Sequence, residues 1–244
     1  MSDPSNSAAS RKVNPLTIWG IIIIIALGMV VGFNYIMFKL RAEQEMQMSD
    51  NAPPPKIGRL EDDLEAVERS GRKVKLSELK GKIMVIGYVF TRCPRGCAGV
   101  VAQMKVLQQK FGKDPRFHLV SVSLDGDYDT PETLTQFAEA NEITGDNWWF
   151  ITGDKDKLRA YMSNPHQIGF MPVQFVPEKD RINDSDLYIH DMRLAIIDHL
   201  GLVRGRHEVL HPQLSDVVFE KMVSDLEKVF KEADALEEKK NKKK

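Results

Sequence analysis

The longest apolar stretch of the chain lies near its amino terminus. Between Leu16 and Phe38, apolar and small residues are interrupted only by one threonine and one asparagine. A helix rises about 1.5 Å per residue, so a stretch of this length can cross a hydrocarbon core of about 30 Å. Trp19 and Tyr35 stand near its two ends, and aromatic residues are enriched at membrane interfaces. We predict a transmembrane anchor over residues 16–38.

Beyond this stretch, short apolar runs alternate with amphipathic segments. Apolar runs bounded by turn residues predict buried strands, and apolar residues spaced three or four apart predict helices. The predicted strands cover residues 83–90, 117–122, 148–152, 187–189, 194–198 and 202–204. The predicted helices cover residues 100–111, 131–140, 155–162 and 214–230, with a short turn or helix at 76–79. Strands that alternate with helices predict an α/β fold with helices on both faces of a central sheet.

Composition divides the chain further. Residues 1–15 contain Ser, Asn and Pro and are predicted to be disordered, and residues 39–56 form a linker that three consecutive prolines stiffen. The folded domain is expected over residues 57–236, which is long enough for one hydrophobic core. Residues 237–244 form a lysine-rich tail, either solvated or in contact with anionic lipid or an acidic partner. The net charge of −1 gives no indication of a nucleic-acid partner.

Cys93 and Cys97, the only cysteines of the chain, follow the predicted strand 83–90 at a turn into a helix. The free N–H groups and partial positive charge of a helix N-terminus lower the pKa of a thiol. A structural disulfide is the alternative, but so short a loop leaves it little loop-closure entropy to remove. We therefore interpret the pair as a redox or metal centre. The spacing permits a disulfide, and it also lets two thiolates converge on one soft metal ion.

Three stretches resemble signatures of the Sco/SenC copper-chaperone family. Residues 90–97 (Phe-Thr-Arg-Cys-Pro-Arg-Gly-Cys) resemble its Cys-Pro-x-x-Cys signature, residues 123–134 its Asp-Pro-x-x-Asp-Thr-Pro segment, and residues 187–198 its histidine-bearing hairpin. The resemblance covers roughly residues 81–230, and a single amino-terminal span is also typical of this family. It implies a thioredoxin-like α/β fold, with a central mixed sheet and helices on both faces, preceded by one transmembrane helix.

The resemblance also implies a copper site. Cys93 and Cys97 would be its sulfur ligands and His190 its nitrogen ligand. Two thiolates and one imidazole form a soft, low-coordinate site that suits copper(I) and tolerates copper(II). Binding requires deprotonated thiols, so the affinity for copper is expected to rise with pH. Oxidation of the two cysteines to a disulfide would abolish the site.

By the same resemblance, the protein is a membrane-anchored copper chaperone. It would deliver copper to the binuclear copper site of a haem-copper terminal oxidase during assembly, with the copper-site subunit of the oxidase as its partner. Another copper chaperone or a thioredoxin-like reductant is a further candidate partner. Basic residues flank the apolar span on both sides, so its orientation is taken from the family: the domain is expected in the periplasm, anchored in the cell inner membrane, with the disordered residues 1–15 in the cytoplasm. The mitochondrial inner membrane is less favoured, because residues 1–15 hold only one Arg and one Lys.

The alternative function is that of a thiol–disulfide oxidoreductase. Cys93 and Cys97 would then be the catalytic redox pair: one thiolate attacks a disulfide of a partner and the other resolves the mixed disulfide. A reductase has no need of His190, whereas a copper site loses a ligand without it. The cysteines alone do not decide between the two functions.

Three further residues near these motifs have open roles. Asp129 either caps the helix predicted from residue 131, through its carboxylate, or shapes the site together with Asp125. Arg95 stands between the cysteines, where the family often has an acidic residue. A cation at this position is expected to lower the pKa of the thiols further.

Overall fold

The structure is a computed structural model that describes residues 19–20, 23–37 and 52–242. It divides into two compact units, residues 1–52 and residues 53–244. All three predicted copper ligands belong to the larger unit, which therefore contains the whole predicted metal site.

The smaller unit contains one described helix, α1, whose helical residues are 19–20 and 23–37. Among the described residues, no helix is both long enough and apolar enough to cross a membrane. The anchor predicted over residues 16–38 and the linker predicted over 39–56 lie partly outside the described ranges, and the segment 1–15 lies wholly outside them. All three therefore stay predictions.

The larger unit is built on a mixed eight-stranded sheet. The strands of the unit are β1 (Gly58–Arg59), β2 (Glu65–Glu68), β3 (Lys73–Lys75), β4 (Ile83–Val89), β5 (Phe117–Ser123), β6 (Trp148–Thr152), β7 (Gln174–Phe175), β8 (Tyr188–Ile189), β9 (Leu194–Ile197) and β10 (Leu202–His207). The large sheet has the order β1-β10-β9-β4-β5-β6-β2-β3. The pairs β4–β5 and β5–β6 are parallel, and the other neighbours are antiparallel. The predicted central mixed sheet is confirmed, and β4 lies in its middle.

Helices cover both faces of this sheet, as predicted. They are α2 (Cys97–Phe111), α3 (Pro131–Ala140), α4 (Lys155–Ser163) and α5 (Ser215–Asn241), with 3₁₀ turns at Leu76–Leu79 and Glu178–Asp180. Apolar side chains of α2, α3 and α5 pack in one core cluster, and those of α4 pack in another. Helix α5 continues to Asn241, so the first residues of the predicted lysine-rich tail are helical.

Strand β4 contributes to both clusters. Ile83 and Val85 belong to the cluster that contains most of the apolar side chains of α2, and Met84 and Ile86 belong to the cluster of α4. Successive side chains of a strand point to opposite faces, so a strand covered on both faces must be apolar throughout. This burial explains the continuous apolar run of β4. Because β4 lies in the middle of the sheet, the residues that follow it, 90–97, also begin near the middle of the sheet.

The predicted hairpin of segments 187–189 and 194–198 is wrong. Strand β8 pairs with β7 in a separate two-stranded sheet, in which Tyr188 lies opposite Phe175, while β9 lies between β4 and β10. All four residues of β9 are buried, which suits a central strand, whereas β8 has one buried and one exposed residue, which suits a surface ribbon. His190 therefore lies in the connection between two sheets.

Candidate metal centre

Cys93 and Cys97 lie in the thiol loop, defined here as residues 90–97, which leads from β4 into α2. The Cys93 amide donates a hydrogen bond to the carbonyl of Phe90 at 3.0 Å, so the chain turns directly at the end of the strand. Cys97 is the first residue of α2 and is 2% exposed, whereas Cys93 is partly exposed; both are free thiols. One thiol thus faces the surface and the other the core.

The two thiols have very different pKa values. The Cys97 thiol donates to the Cys93 sulfur, and this bond, with help from the amides of Arg95 and Cys97, outweighs burial and lowers the pKa of Cys93 to about 3. The same bond to Cys93, together with burial, raises the pKa of Cys97. At neutral pH, Cys93 is therefore a thiolate and Cys97 keeps the proton.

His190 reaches the thiols because of the sheet topology. Strand β9 runs antiparallel to β4, with Ala195 opposite Ile86, so the residues before β9 lie beside the residues after β4. His190 Nε2 lies 3.4 Å from Cys97 Sγ, and His190 Nδ1 lies 2.9 Å from the carbonyl oxygen of Asp191. A carbonyl oxygen can only accept, so Nδ1 carries the proton and donates. In the neutral imidazole, Nε2 therefore has its lone pair on the side of the sulfurs.

Asp191 holds the backbone around His190. Its carboxylate accepts hydrogen bonds from the amide of Met171 at 2.8 Å and from the amide of Arg193 at 2.9 Å, and it pairs with the Arg193 guanidinium. Burial alone would raise the pKa of Asp191, but these bonds from Arg193 and Met171 hold it below its usual value. The carbonyl that orients the imidazole thus belongs to a residue that is itself anchored on two sides.

The three side chains form a group that could hold a metal ion. One sulfur from each of Cys93 and Cys97 and one ring nitrogen of His190 lie within 4.8 Å of one another, and the described part of the chain contains no other such group of His, Cys, Asp or Glu. Two sulfurs and one imidazole suit a soft ion such as copper(I). All three ligands predicted from the sequence are brought together.

Residues 54–224 match the family model described as SCO1/SenC. The chain belongs to the SCO1/SenC family. The "SCO1 protein homolog" of Bacillus subtilis (strain 168) is 34% identical over 86 residues, which are 35% of this chain and 45% of that relative. The match thus spans less than half of the relative's length.

Solved structures show the fold of this SCO1/SenC domain in other proteins. BsSco is described as a member of the Sco family of cytochrome c oxidase assembly proteins, and a disulfide switch was identified in it. It superposes on this chain with a TM-score of 0.57 at 22% identity, over 73% of this chain and 98% of BsSco. ScoI of Bradyrhizobium japonicum, solved with copper bound, gives a TM-score of 0.51 at 17% identity, over 70% and 99% of the two chains. The likeness confirms the predicted thioredoxin-like α/β fold.

In this SCO1/SenC domain, Asp129 does not cap α3. The N-cap is Thr130, whose hydroxyl accepts a hydrogen bond from the Thr133 amide. The fully buried carboxylate of Asp129 instead accepts from the hydroxyl of Thr91 at 2.5 Å and from that of Ser123 at 2.8 Å, and burial raises its pKa. Asp129 thus braces the thiol loop against the end of β5. The site-shaping alternative for this residue is the correct one.

Asp125 braces the same loop from a neighbouring position. Its carboxylate is 3% exposed and pairs with the guanidinium of Arg92 at 2.8 Å, and this guanidinium also stacks over the ring of Tyr128 at 4.0 Å. The residue directly before Cys93 is therefore held by an ion pair. The sequence does not indicate that Arg92 would pair with Asp125, because the two residues lie in different segments of the chain.

Arg95 acts on the Cys93 sulfur through its backbone amide and through its charge. Its amide donates to Cys93 Sγ at 3.4 Å and contributes to the low pKa of Cys93. Its guanidinium forms two hydrogen bonds with the carboxylate of Asp186, at 2.6 and 2.5 Å. The positive charge is thus paired with a carboxylate, and it also interacts with the Cys93 thiolate, whose charge, after the bond to Asp186, helps to raise the pKa of Arg95. The predicted effect of this cation on a thiol is therefore present. Sequence reasoning missed Asp186, Asp191 and Arg193.

Proposed function

We propose that this SCO1/SenC protein binds copper between Cys93, Cys97 and His190 and delivers it to the binuclear copper site of a haem-copper terminal oxidase during assembly. The observation that carries the proposal is the convergence of two sulfurs and one imidazole nitrogen within 4.8 Å. Support also comes from relatives: BsSco is described as belonging to a family of cytochrome c oxidase assembly proteins, and ScoI was solved with copper bound. The partner would be the copper-site subunit of the oxidase.

The protonation states suggest how copper enters. The Cys93 thiolate needs no deprotonation at neutral pH, and the lone pair of His190 Nε2 is already directed at the sulfurs. Only Cys97, whose pKa is raised, must lose a proton for all three ligands to bind. Copper binding should therefore release one proton.

Delivery would proceed by exchange of ligands. Cys93 is the partly exposed ligand, whereas Cys97 and His190 are 2% and 6% exposed. A thiolate of the partner can reach copper first from the side of Cys93 and take its place as a ligand. The buried ligands would be displaced afterwards, so the ion stays bound to at least one protein throughout the transfer.

We place the domain in the periplasm, anchored in the cell inner membrane through residues 16–38. This part of the proposal rests on the apolar stretch of the sequence and on the family resemblance. The mitochondrial inner membrane remains the less favoured location. Selective labelling of Cys93 by a membrane-impermeant thiol reagent added to the periplasmic side of intact cells would support the orientation, and labelling only after lysis would contradict it.

Copper(I) titration tests the proposed ligands. The full chain, reduced and solubilised in detergent, is titrated against a competing copper(I) chelator, together with Cys93→Ser, Cys97→Ser and His190→Ala. We expect one copper per chain and weaker binding in each variant. His166→Ala is the matched control, because His166 is exposed and outside the site. Binding by the wild type that is no tighter than binding by Cys93→Ser would refute the proposal.

One observation favours a second function, that of a thiol–disulfide oxidoreductase. A partly exposed thiolate beside a buried thiol is the arrangement that such chemistry requires. The Cys93 thiolate would attack a disulfide of the partner and release one of its sulfurs as a thiolate. Cys97, after losing its proton, would attack Cys93 Sγ and release the second sulfur. The partner gains two electrons, and this chain is left with a Cys93–Cys97 disulfide.

His190→Ala separates the two functions. If the protein acts as a reductase, this variant keeps most of its rate of disulfide reduction, measured with a disulfide substrate and a defined thiol reductant. If the protein acts as a copper chaperone, the same variant loses copper affinity. A wild type that reduces no disulfide would exclude the second function.

A further inference from the structure

An ion pair joins the two segments that carry the proposed copper ligands. Arg95 lies in the thiol loop, two residues from each cysteine, and Asp186 lies four residues before His190. Arg95 Nε and Nη2 lie 2.6 and 2.5 Å from the two carboxylate oxygens of Asp186, and Nη2 also donates to the carbonyl of Asp180 at 3.1 Å. We refer to residues 180–191 as the histidine segment. The guanidinium thus makes all three of these bonds to the histidine segment.

Asp186 is built into its own segment. Its side chain is 1% exposed, and one carboxylate oxygen also accepts the amide of Ile182 at 2.9 Å. Arg95 shields this carboxylate from water, and a charge that is shielded from water and unpaired is unfavourable, so Asp186 is stabilised by its cation. The two parallel N–H···O bonds also fix the direction of approach, which a lysine could not do. The pair therefore constrains the position of the thiol loop relative to the histidine segment.

The other braces of the thiol loop act elsewhere. Arg92 pairs with Asp125 and Thr91 bonds to Asp129, so both connect the loop to the segment after β5. Neither reaches the histidine segment. Besides the contacts of the thiols with His190 itself, the two segments are linked by the aromatic pair Phe90–Tyr188, with ring centroids 5.5 Å apart. An apolar contact of this kind sets distance less strictly than a bidentate ion pair.

We propose that Arg95 and Asp186 are positioning residues that hold the histidine segment against the thiol loop, so that His190 completes the copper site of Cys93 and Cys97. This inference rests on the proposed copper site. Without the pair, the two cysteines would still bind copper, but His190 would contribute less.

A double-mutant cycle with His190 tests the proposal. The full chain in detergent, with its thiols reduced, is titrated with copper(I) alone against a competing chelator. We expect Arg95→Gln to weaken binding by about 10- to 100-fold, as is usual for residues that orient a metal ligand. In a His190→Ala background, the same substitution should change the affinity by no more than about twofold, the range for uncoupled sites. An equal loss in both backgrounds, or no loss in the first, would overturn the proposal.

Control variants separate positioning from general destabilisation. Arg72 and Glu78 form an exposed ion pair at 2.7 Å that lies outside both segments. Arg72→Gln breaks this pair and should leave the affinity for copper unchanged. Arg92→Gln should weaken copper binding in both backgrounds, because it acts on the thiol loop alone. Since Arg95→Gln leaves Asp186 buried without its cation, the double variant Arg95→Gln/Asp186→Asn provides a second test that retains no unpaired buried charge. It should show the same dependence on His190.

Two further readouts would not respond to a merely structural role. X-ray absorption of the copper(I)-loaded protein should show fewer nitrogen ligands in Arg95→Gln than in the wild type, as in His190→Ala. In the metal-free, reduced protein, the ring resonances of His190 should shift in Arg95→Gln and not in Arg72→Gln. Unshifted resonances would overturn the positioning role. If the wild type binds no copper but these resonances do shift, the proposed function fails while the positioning role stands.

Discussion

Protonation of His118 should destabilise the fold as the pH falls. The side chain lies in the central strand β5, is 6% exposed, and packs edge-on against the ring of Trp149 with centroids 4.9 Å apart. Its Nε2 atom has no hydrogen-bond partner among the residues that the structure describes. Burial, with a smaller contribution from Lys82, lowers the pKa of His118 from 6.5 to about 4. The folded protein therefore holds this imidazole neutral.

The sign and size of the effect follow from this pKa. Between about pH 4 and pH 6.5 the unfolded chain binds the proton and the folded protein does not, so stability falls as the pH decreases through this window. One pKa unit corresponds to about 1.4 kcal/mol. The free energy of unfolding should therefore drop by about 3 kcal/mol over the whole window, and by about 2 kcal/mol between pH 7 and pH 5. Below the folded pKa, His118 causes no further loss.

Denaturant unfolding of the wild type and of His118→Phe measures this contribution. Phenylalanine keeps a ring against Trp149 but does not titrate. We expect the wild type to lose about 2 kcal/mol more than the variant between pH 7 and pH 5. His207, whose pKa burial also lowers, titrates in the same direction in both proteins and cancels in the comparison. Equal pH dependence of the two proteins would refute the reasoning.

Two further predictions concern the core and the site. Arg204→Met should lower the free energy of unfolding by about 3–5 kcal/mol, because it leaves the buried carboxylate of Asp198 unpaired. Arg204 is 2% exposed and pairs with Asp198 at 2.9 Å and with the partly exposed Glu232 at 2.7 Å. Denaturation against the surface control Arg72→Met checks this, and a loss below about 1 kcal/mol would contradict it. Copper(I) affinity should rise about tenfold per pH unit between pH 6 and pH 8, because one proton leaves Cys97. A hundredfold rise per unit would mean that Cys93 is also protonated in the free protein.

The local sequence pattern was sufficient to predict a helix or strand where the residues of that segment themselves decide its structure. The bounds of α3 and β6 agree with the prediction, because Pro131 at the first turn and the apolar run from Trp148 act within the segment itself. The turn from β4 into α2 was likewise recognisable from an apolar run followed by a helical repeat. Both cysteines could therefore be placed from sequence, and the family resemblance added His190.

Contacts between distant segments were decided only by the tertiary structure. Strand β8 pairs with β7 and not with β9, because β9 is needed in the buried centre of the large sheet. Arg95 and Asp186 are 91 positions apart in the chain, and no periodicity relates them. The large difference between the pKa values of Cys93 and Cys97 likewise depends on which thiol is buried and which atoms surround it. The sequence by itself determined the central strands, the helices and the ligand types. Packing determined the short strands β1, β2, β3 and β7 and the neighbours of each element, because burial and charge pairing act through space.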